Sequence, residues 1–223
     1  MEPGAYRPWL VPVFTSLAGL VTGFFIQRYV PETVTSGTDG TDATTRAFHR
    51  QGGLVPPRVP LIRGLASILT IATGGSAGRE GPIAQIGGGI GSWVAQRLKL
   101  SARERRLLLL AGAAGGMGAI FRAPLGGALT AVEVIYREDF EAEAILPAVM
   151  SSVTAYSVFT FFFGTESILA APAFQFTDPR ELIFYAVLAL VCSAAAYLFI
   201  GTFRACKTRL FAPVRERLGI MLS

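Results

Sequence analysis

The chain has 223 residues, of which 52% are hydrophobic and only 16% charged, with a mean hydropathy of +0.50 and a formal net charge of +5. Soluble domains carry about 25% charged residues, so an ordinary water-facing globule is excluded, as is a disordered chain. Two cysteines and one histidine, His49, exclude a disulfide scaffold, a cysteine zinc cluster and a His-paired metal or relay site.

Pro8 to Gln27 is free of charge, as are Ala144 to Thr165 and Leu182 to Phe203. At 1.5 Å per residue each covers about 30 Å, one hydrocarbon core. The first run exceeds the apolar core of a signal peptide and reads as a membrane helix. The polar stretch Pro31 to Pro60 predicts one short helix over Asp42 to Gln51, with Asp42 as its N-cap. Four apolar but short segments follow: Gly64 to Gly78, Gly81 to Gln96, Leu107 to Phe121 and Ala123 to Val132. Short, Gly- and Pro-interrupted segments point to broken helices around a site inside the membrane. Gly87 and Gly91, and Ala111, Gly115 and Ala119, repeat at four residues. That spacing predicts close helix packing, and pure packing is sufficient to explain it.

Basic residues flank these runs: Arg97, Lys99, Arg103, Arg105 and Arg106, then Arg204, Lys207, Arg209, Arg215 and Arg217. Both clusters read as the cytoplasmic side. No basic stripe with interleaved aromatics stands on a soluble fold, so no nucleic-acid partner is expected.

Gly74 to Gly87 carries the most chemistry. A glycine-rich loop ends at Gly78-Arg79-Glu80-Gly81-Pro82, and a helix is expected from Ile83, with Pro82 in its first turn. Its free N–H groups and positive dipole end suit an anion. No Gly-Lys-Ser/Thr follows, and no strand frames the loop, so nucleotide-loop readings fail. Arg79 and Glu80 are costly at membrane depth. Arg79 reads equally as a structural residue. A Glu80 carboxylate at the mouth can occupy the anion site and leave it on protonation, which makes a gate.

These residues resemble a family. Gly78-Arg79-Glu80-Gly81-Pro82, running on to Gly87, is similar to the signature of the CLC chloride channels and chloride/proton exchangers. Ala119-Ile120-Phe121-Arg122-Ala123-Pro124-Leu125-Gly126-Gly127-Ala128, leading to Glu133, resembles the family's second motif. Weaker similarity runs from Trp9 to Leu210. The resemblance implies an all-α polytopic membrane homodimer of broken-helix inverted repeats, with one anion pathway per subunit. Glu80 falls on the gating glutamate. Anion contacts are implied at Gly78, Arg79, Gly81, Pro82 and Ile83, and at the helix start Gly40, Thr41 and Asp42. The segments around Pro124 to Tyr136 and Ile145 to Phe163 are implied at the two-fold interface.

Three departures qualify that expectation. Family subunits are about twice this length, so residues 1–223 read as a partial CLC-type domain, most of the first repeat and the first helix of the second, from a fragment or truncated gene product. Gly37 to Asp42 stands where the family has Gly-Ser-Gly-x-Pro, with Asp39 near the pore serine and Asp42 near the proline. Val134 stands where exchangers often carry a proton-relaying glutamate, which favours a channel over an exchanger. Glu133 and Arg122 read as structural, Glu133 through a hydrogen bond or ion pair, and His49 as a surface residue. The expected ligand is chloride or a similar small anion, the setting the lipid bilayer of a prokaryotic plasma membrane. No cofactor, metal or enzymatic constellation is expected; a non-conducting fragment is the third reading.

Overall fold

The computed structural model describes residues 9–30, 40–75, 78–136, 142–165 and 178–211. Their regular structure is helical: α1 (Leu10–Tyr29), α2 (Gly40–Arg50), α3 (Arg58–Ala72), α4 (Glu80–Arg97), α5 (Ala102–Phe121), α6 (Pro124–Tyr136), α7 (Ala142–Phe163) and α8 (Glu181–Ala205), with a π-helical segment at Cys206–Phe211. The chain divides into two units, Met1–Ile168 and Leu169–Ser223. Within the described residues, α1, Glu143–Phe163 and α8 are long and apolar enough to cross a bilayer. These three match the three long charge-free runs of the sequence.

In the first unit α5 is the central helix. Leu109, Leu110 and Ala114 have no exposed surface. Lipid tails are as apolar as leucine, so close backbone packing must supply the cohesion. α4 and α5 meet through their glycines: a Cβ on Gly87 would collide with the Gly112 carbonyl, and one on Gly91 with that of Leu108. On its other faces α5 meets α6 and α7. A Cβ on Gly127 would collide with the Gly118 backbone, and the Ser152 hydroxyl of α7 donates to the Pro124 carbonyl at 2.6 Å. Arg122 closes α5 in the left-handed region, at φ 53°. Its guanidinium reaches the Phe163 carbonyl at 3.4 Å and lies over the Phe159 ring. It serves the structural role expected of it.

The end of α2 is tied to the α5 start. Gly53 has φ +77°, and a Cβ there would lie 2.8 Å from the Arg106 nitrogen, so this turn requires glycine. Arg105 Nε donates to the Gly52 carbonyl at 2.7 Å. Buried Ser92 of α4 accepts from the Val55 N–H at 3.0 Å and donates to the Gly53 carbonyl at 2.7 Å. α1 and α3 run antiparallel. The Thr15 hydroxyl donates to the Thr73 carbonyl at 2.7 Å, and Phe25 and Tyr29 share a groove with Ile62 and Leu65. Arg28, Arg50, Arg58 and the cluster Arg97 to Arg106 thus gather at one end of the unit.

Several helix starts differ from the sequence expectation. α2 begins at Gly40, not Asp42, because its first turn is packed against α4. α3 begins at Arg58 and α5 at Ala102, so both extend beyond their apolar stretches, α3 across Arg58 to Arg63 and α5 through a polar first turn. His49 is exposed, as expected of a surface residue, but it lies in the last turn of α2 and not in a loop, and its Nε2–H donates to the Ile135 carbonyl of α6 at 2.7 Å.

Candidate functional site

Two helix starts meet inside the first unit. Gly40 opens α2, Gly81 is the second residue of α4, and both are buried. A Cβ on Gly40 would collide with the Gly81 carbonyl. One on Gly81 would lie 3.0 Å from the Gly40 nitrogen and 3.5 Å from the Thr41 nitrogen. Only a pair of glycines lets the two backbones approach this closely.

The electrostatics follow from that approach. Each helix start carries about half a positive charge from its aligned peptide dipoles. Two such ends side by side repel each other unless negative charge lies near them. Both helices carry one acid in the first turn, Asp42 in α2 and Glu80 in α4. Asp42 is exposed at the third position of its helix, not at the N-cap. The residue before Gly40, Asp39, lies outside the described residues, as does the rest of the loop from Gly37.

α4 starts at Glu80, earlier than the expected Ile83. The Ile83 N–H donates to the Arg79 carbonyl at 3.1 Å, closing the first helical turn. Pro82 has no N–H to place, so it fits within that turn without losing a bond. No side chain caps this helix at Arg79. Gly78, Arg79 and Glu80 are exposed, while Pro82 and Ile83 are half-buried. The Glu80 carboxylate bends back over Gly78, where a Cβ would strike its Oε2. Gly40, Thr41, Glu80 and Gly81 are thus brought to one junction, with Arg79 and Gly78 at its open side. Ser76 and Ala77 of the loop lie outside the described residues.

Glu133 corrects an expectation: it is exposed on α6 and makes no hydrogen bond or ion pair with the described residues. The helix turns its small and aliphatic residues inward, burying Ala128, Ala131, Val132 and Ile135, which leaves Glu133 and Val134 outside. Two residues that sequence reasoning passed over stand near the junction. Gln85 is 3% exposed, and its amide oxygen has no hydrogen-bond partner among the described residues. The signal was available, since Gln85 is the lone polar side chain between Pro82 and Gly91. Arg46 of α2 lines a cavity with it.

Short helices whose starts meet inside a bundle of membrane-length helices define a class, the broken-helix transporters and channels. The voltage gated chloride channel family matches residues 18–220, and this chain belongs to that family. It is similar to a putative chloride channel protein ClcB-like of Ralstonia nicotianae, at 30% identity over 95% of this chain and 51% of that one. It is also similar to the H(+)/Cl(-) exchange transporter ClcA of Cronobacter sakazakii, at 31% identity over 87% of this chain and 42% of that one. The crystal structure of a slow cyanobacterial Cl-/H+ antiporter superposes with a TM-score of 0.73 at 26% identity, covering 89% of this chain and 47% of that one. The chain spans about half the length of the curated relatives it matches. Three membrane-length apolar helices and this family make it an integral membrane protein.

Proposed function

We propose that this chain takes part in moving chloride or a similar small anion across a prokaryotic plasma membrane. The observation that carries the proposal is the backbone contact of Gly40 with Gly81. It places two positive helix ends together, and an anion between them relieves their repulsion. The N–H groups of Gly40, Thr41, Glu80 and Gly81 are the proposed contacts, with Asp42 in the turn beside them. Pro82 and Ile83 fix the start of α4, Gly78 gives the loop room for the Glu80 carboxylate, and Arg79 holds the mouth positive. Glu80 is the gate: its carboxylate competes with the anion when it swings from Gly78 to the junction. The basic end of the unit faces the cytoplasm.

Within this reading the chain supplies most of a first repeat and the first helix of a second. Leu125 and Leu129 of α6 and Leu146, Met150 and Val153 of α7 are exposed and apolar. Their face is the proposed contact with a second copy in a homodimer. Passive conduction is supported by Val134, which cannot relay a proton. Exchange is the second reading, supported by the transporters whose printed names couple H(+) to Cl(-).

The test is chloride efflux from liposomes holding the chain, with proton uptake recorded and Glu80→Gln measured beside it. Efflux that loses its pH dependence in Glu80→Gln is the expected result. A proton flux coupled to the chloride gradient selects exchange. Well-inserted protein with no efflux returns the chain to a non-conducting role and overturns the proposal.

A further inference from the structure

We propose that the groove between α1 and α3 is a binding site for an anionic phospholipid, with one acyl chain lying along the groove and the phosphate held at Arg28 and the start of α3. The inference goes beyond anion transport and does not depend on it. The groove measures about 350 Å³ and is walled by Thr22, Phe25 and Tyr29 of α1 and by Ile62, Leu65 and Leu69 of α3. Among the described residues no charged side chain lines it. The Thr22 hydroxyl donates within its own helix, to the Ala18 carbonyl at 2.8 Å, so it is not held out to a guest.

The shape of the groove suits a hydrocarbon chain. Its walls belong to two antiparallel membrane helices, so it is a slot running along their axes, as acyl chains do in a bilayer. From Ile62 to Leu69 it extends seven residues, about 10 Å at the helical rise, or about a third of a hydrocarbon core. Its outer edges are apolar and exposed, with Phe24 on α1 and Leu61 and Ile68 on α3. The slot therefore opens toward lipid tails. A polar guest would give up its water there without gaining a hydrogen bond.

Charge at one end of the slot selects among lipids. The bond from Thr15 to Thr73 sets the register of the pair: thirteen residues on from Thr15 is Arg28, and thirteen back from Thr73 is Pro60. Arg28 is thus level with the first turn of α3. It is exposed, and its guanidinium lies 5.7 Å from the ring centre of Tyr29, which stacks on Phe25 of the groove wall. α3 opens beside it with exposed Arg58, no side chain caps the helix at Pro57, and the positive dipole end adds to the same place. Tyrosine and arginine at this level suit the headgroup region. A neutral apolar guest would leave the arginines unused, and a free phosphate would leave the slot unused. A phospholipid with net negative charge uses both, as basic pockets between membrane helices do on the cytoplasmic side. This end carries the basic cluster proposed above to face the cytoplasm.

The experiment uses the full chain in a neutral detergent, with phosphatidylglycerol and phosphatidylcholine of the same acyl chains as probes. Native mass spectrometry reads the bound lipid. Crystals grown with phosphatidylglycerol brominated along its chains give an anomalous map. The expected result is bromine density between Phe25 and Leu65, with phosphatidylglycerol retained in preference to phosphatidylcholine. Arg28→Gln should weaken phosphatidylglycerol about fivefold, the effect of one basic residue at an anionic surface, and leave phosphatidylcholine unchanged. Ala66→Phe places a ring in the slot, whose wall includes Ala66, and should weaken both lipids. Arg50→Gln, at the same basic end but outside the groove, should change neither. Equal retention of the two lipids, an Arg50→Gln loss as large as that of Arg28→Gln, or displacement of the lipid by inorganic phosphate alone overturns the site. So does a second copy of the chain seated in the groove. Should Ala66→Phe fail to fold, the bromine map of the unaltered protein and the Arg28→Gln titration decide.

Discussion

The start of α4 and the start of α5 solve the same problem in opposite ways. Every helix leaves its first N–H groups without intrahelical partners. At α5 the sequence Ser101-Ala102-Arg103-Glu104 closes a capping box: the Ser101 hydroxyl accepts from the Glu104 N–H at 3.3 Å, and the Ser101 N–H donates to Glu104 Oε2 at 2.9 Å. At α4, 22 residues earlier by the difference of the two N-caps, Arg79 offers no side-chain cap. Within its first turn Gly81 is instead buried against a second helix start. On the proposed function, the uncapped N–H groups at that contact are the ones left for an anion, whereas the capped end of α5 serves stability alone.

The strongest way to break that comparison is to separate the two starts. Gly40→Ala drives a Cβ into the Gly81 carbonyl. The expected cost is about 1 to 3 kcal/mol, the range for overpacking, with chloride flux lost beyond what the lower stability explains. Gly23→Ala in α1 is the matched control. A Cβ there meets nothing within 4 Å, and the better helix propensity of alanine should stabilise by up to about 1 kcal/mol. Thermal unfolding in detergent reads both. Equal shifts for the two variants would mean that the Gly40–Gly81 contact is not tight in the membrane.

Next in size is the cap. Ser101→Ala removes the hydroxyl half of the box and should cost about 1 kcal/mol, leaving chloride flux and anion affinity unchanged. A change in flux from Ser101→Ala would erase the distinction between the two helix starts. The prediction has a local limit, since Arg103 also pairs with Glu143 of α7 at 2.6 Å. Both partners are exposed, and such a pair contributes about 0 to 1 kcal/mol. Loss of the cap alone should therefore leave the α5–α7 contact intact.

Much of this was legible in the sequence, for identifiable reasons. The long apolar runs forecast α1, α7 and α8 to within a few residues, because a bilayer fixes helix length. The four-residue glycine spacing forecast close helix packing, which the structure has between α4 and α5, because only small side chains let backbones approach. Glu80 and Gly81 stood out because charge and glycine inside an apolar stretch each need a reason. The meeting of Gly40 with Gly81 was not legible from spacing: it joins residues 41 apart through tertiary packing, and only the family resemblance put both on one site. The box at Ser101 was legible and passed over, because the apolar stretch at Leu107 drew the helix start inward. Arg46 and Gln85 needed the structure, since an orphaned amide shows itself only when its surroundings are known.

The smallest effect sharpens the comparison by its sign. Hydrogen bonds from Ser101, the hydroxyl first and the backbone N–H second, hold the Glu104 carboxyl below its ordinary value. Glu104 is exposed in the polar first turn, outside the apolar stretch that begins at Leu107. A carboxyl whose value is lower in the folded chain than in the unfolded one binds fewer protons when folded. Its contribution is therefore fully present above the ordinary carboxylate value and is lost as pH falls through the lowered folded value. The unfolding-temperature difference between the unaltered chain and Glu104→Gln should be constant at neutral pH and should shrink on acidification. In Ser101→Ala that pH dependence should weaken, because the hydroxyl, the larger of the two causes, is gone while the backbone N–H remains. A difference that grew on acidification would mean that the carboxyl is stabilised in its protonated form, and the box would not be what closes this helix.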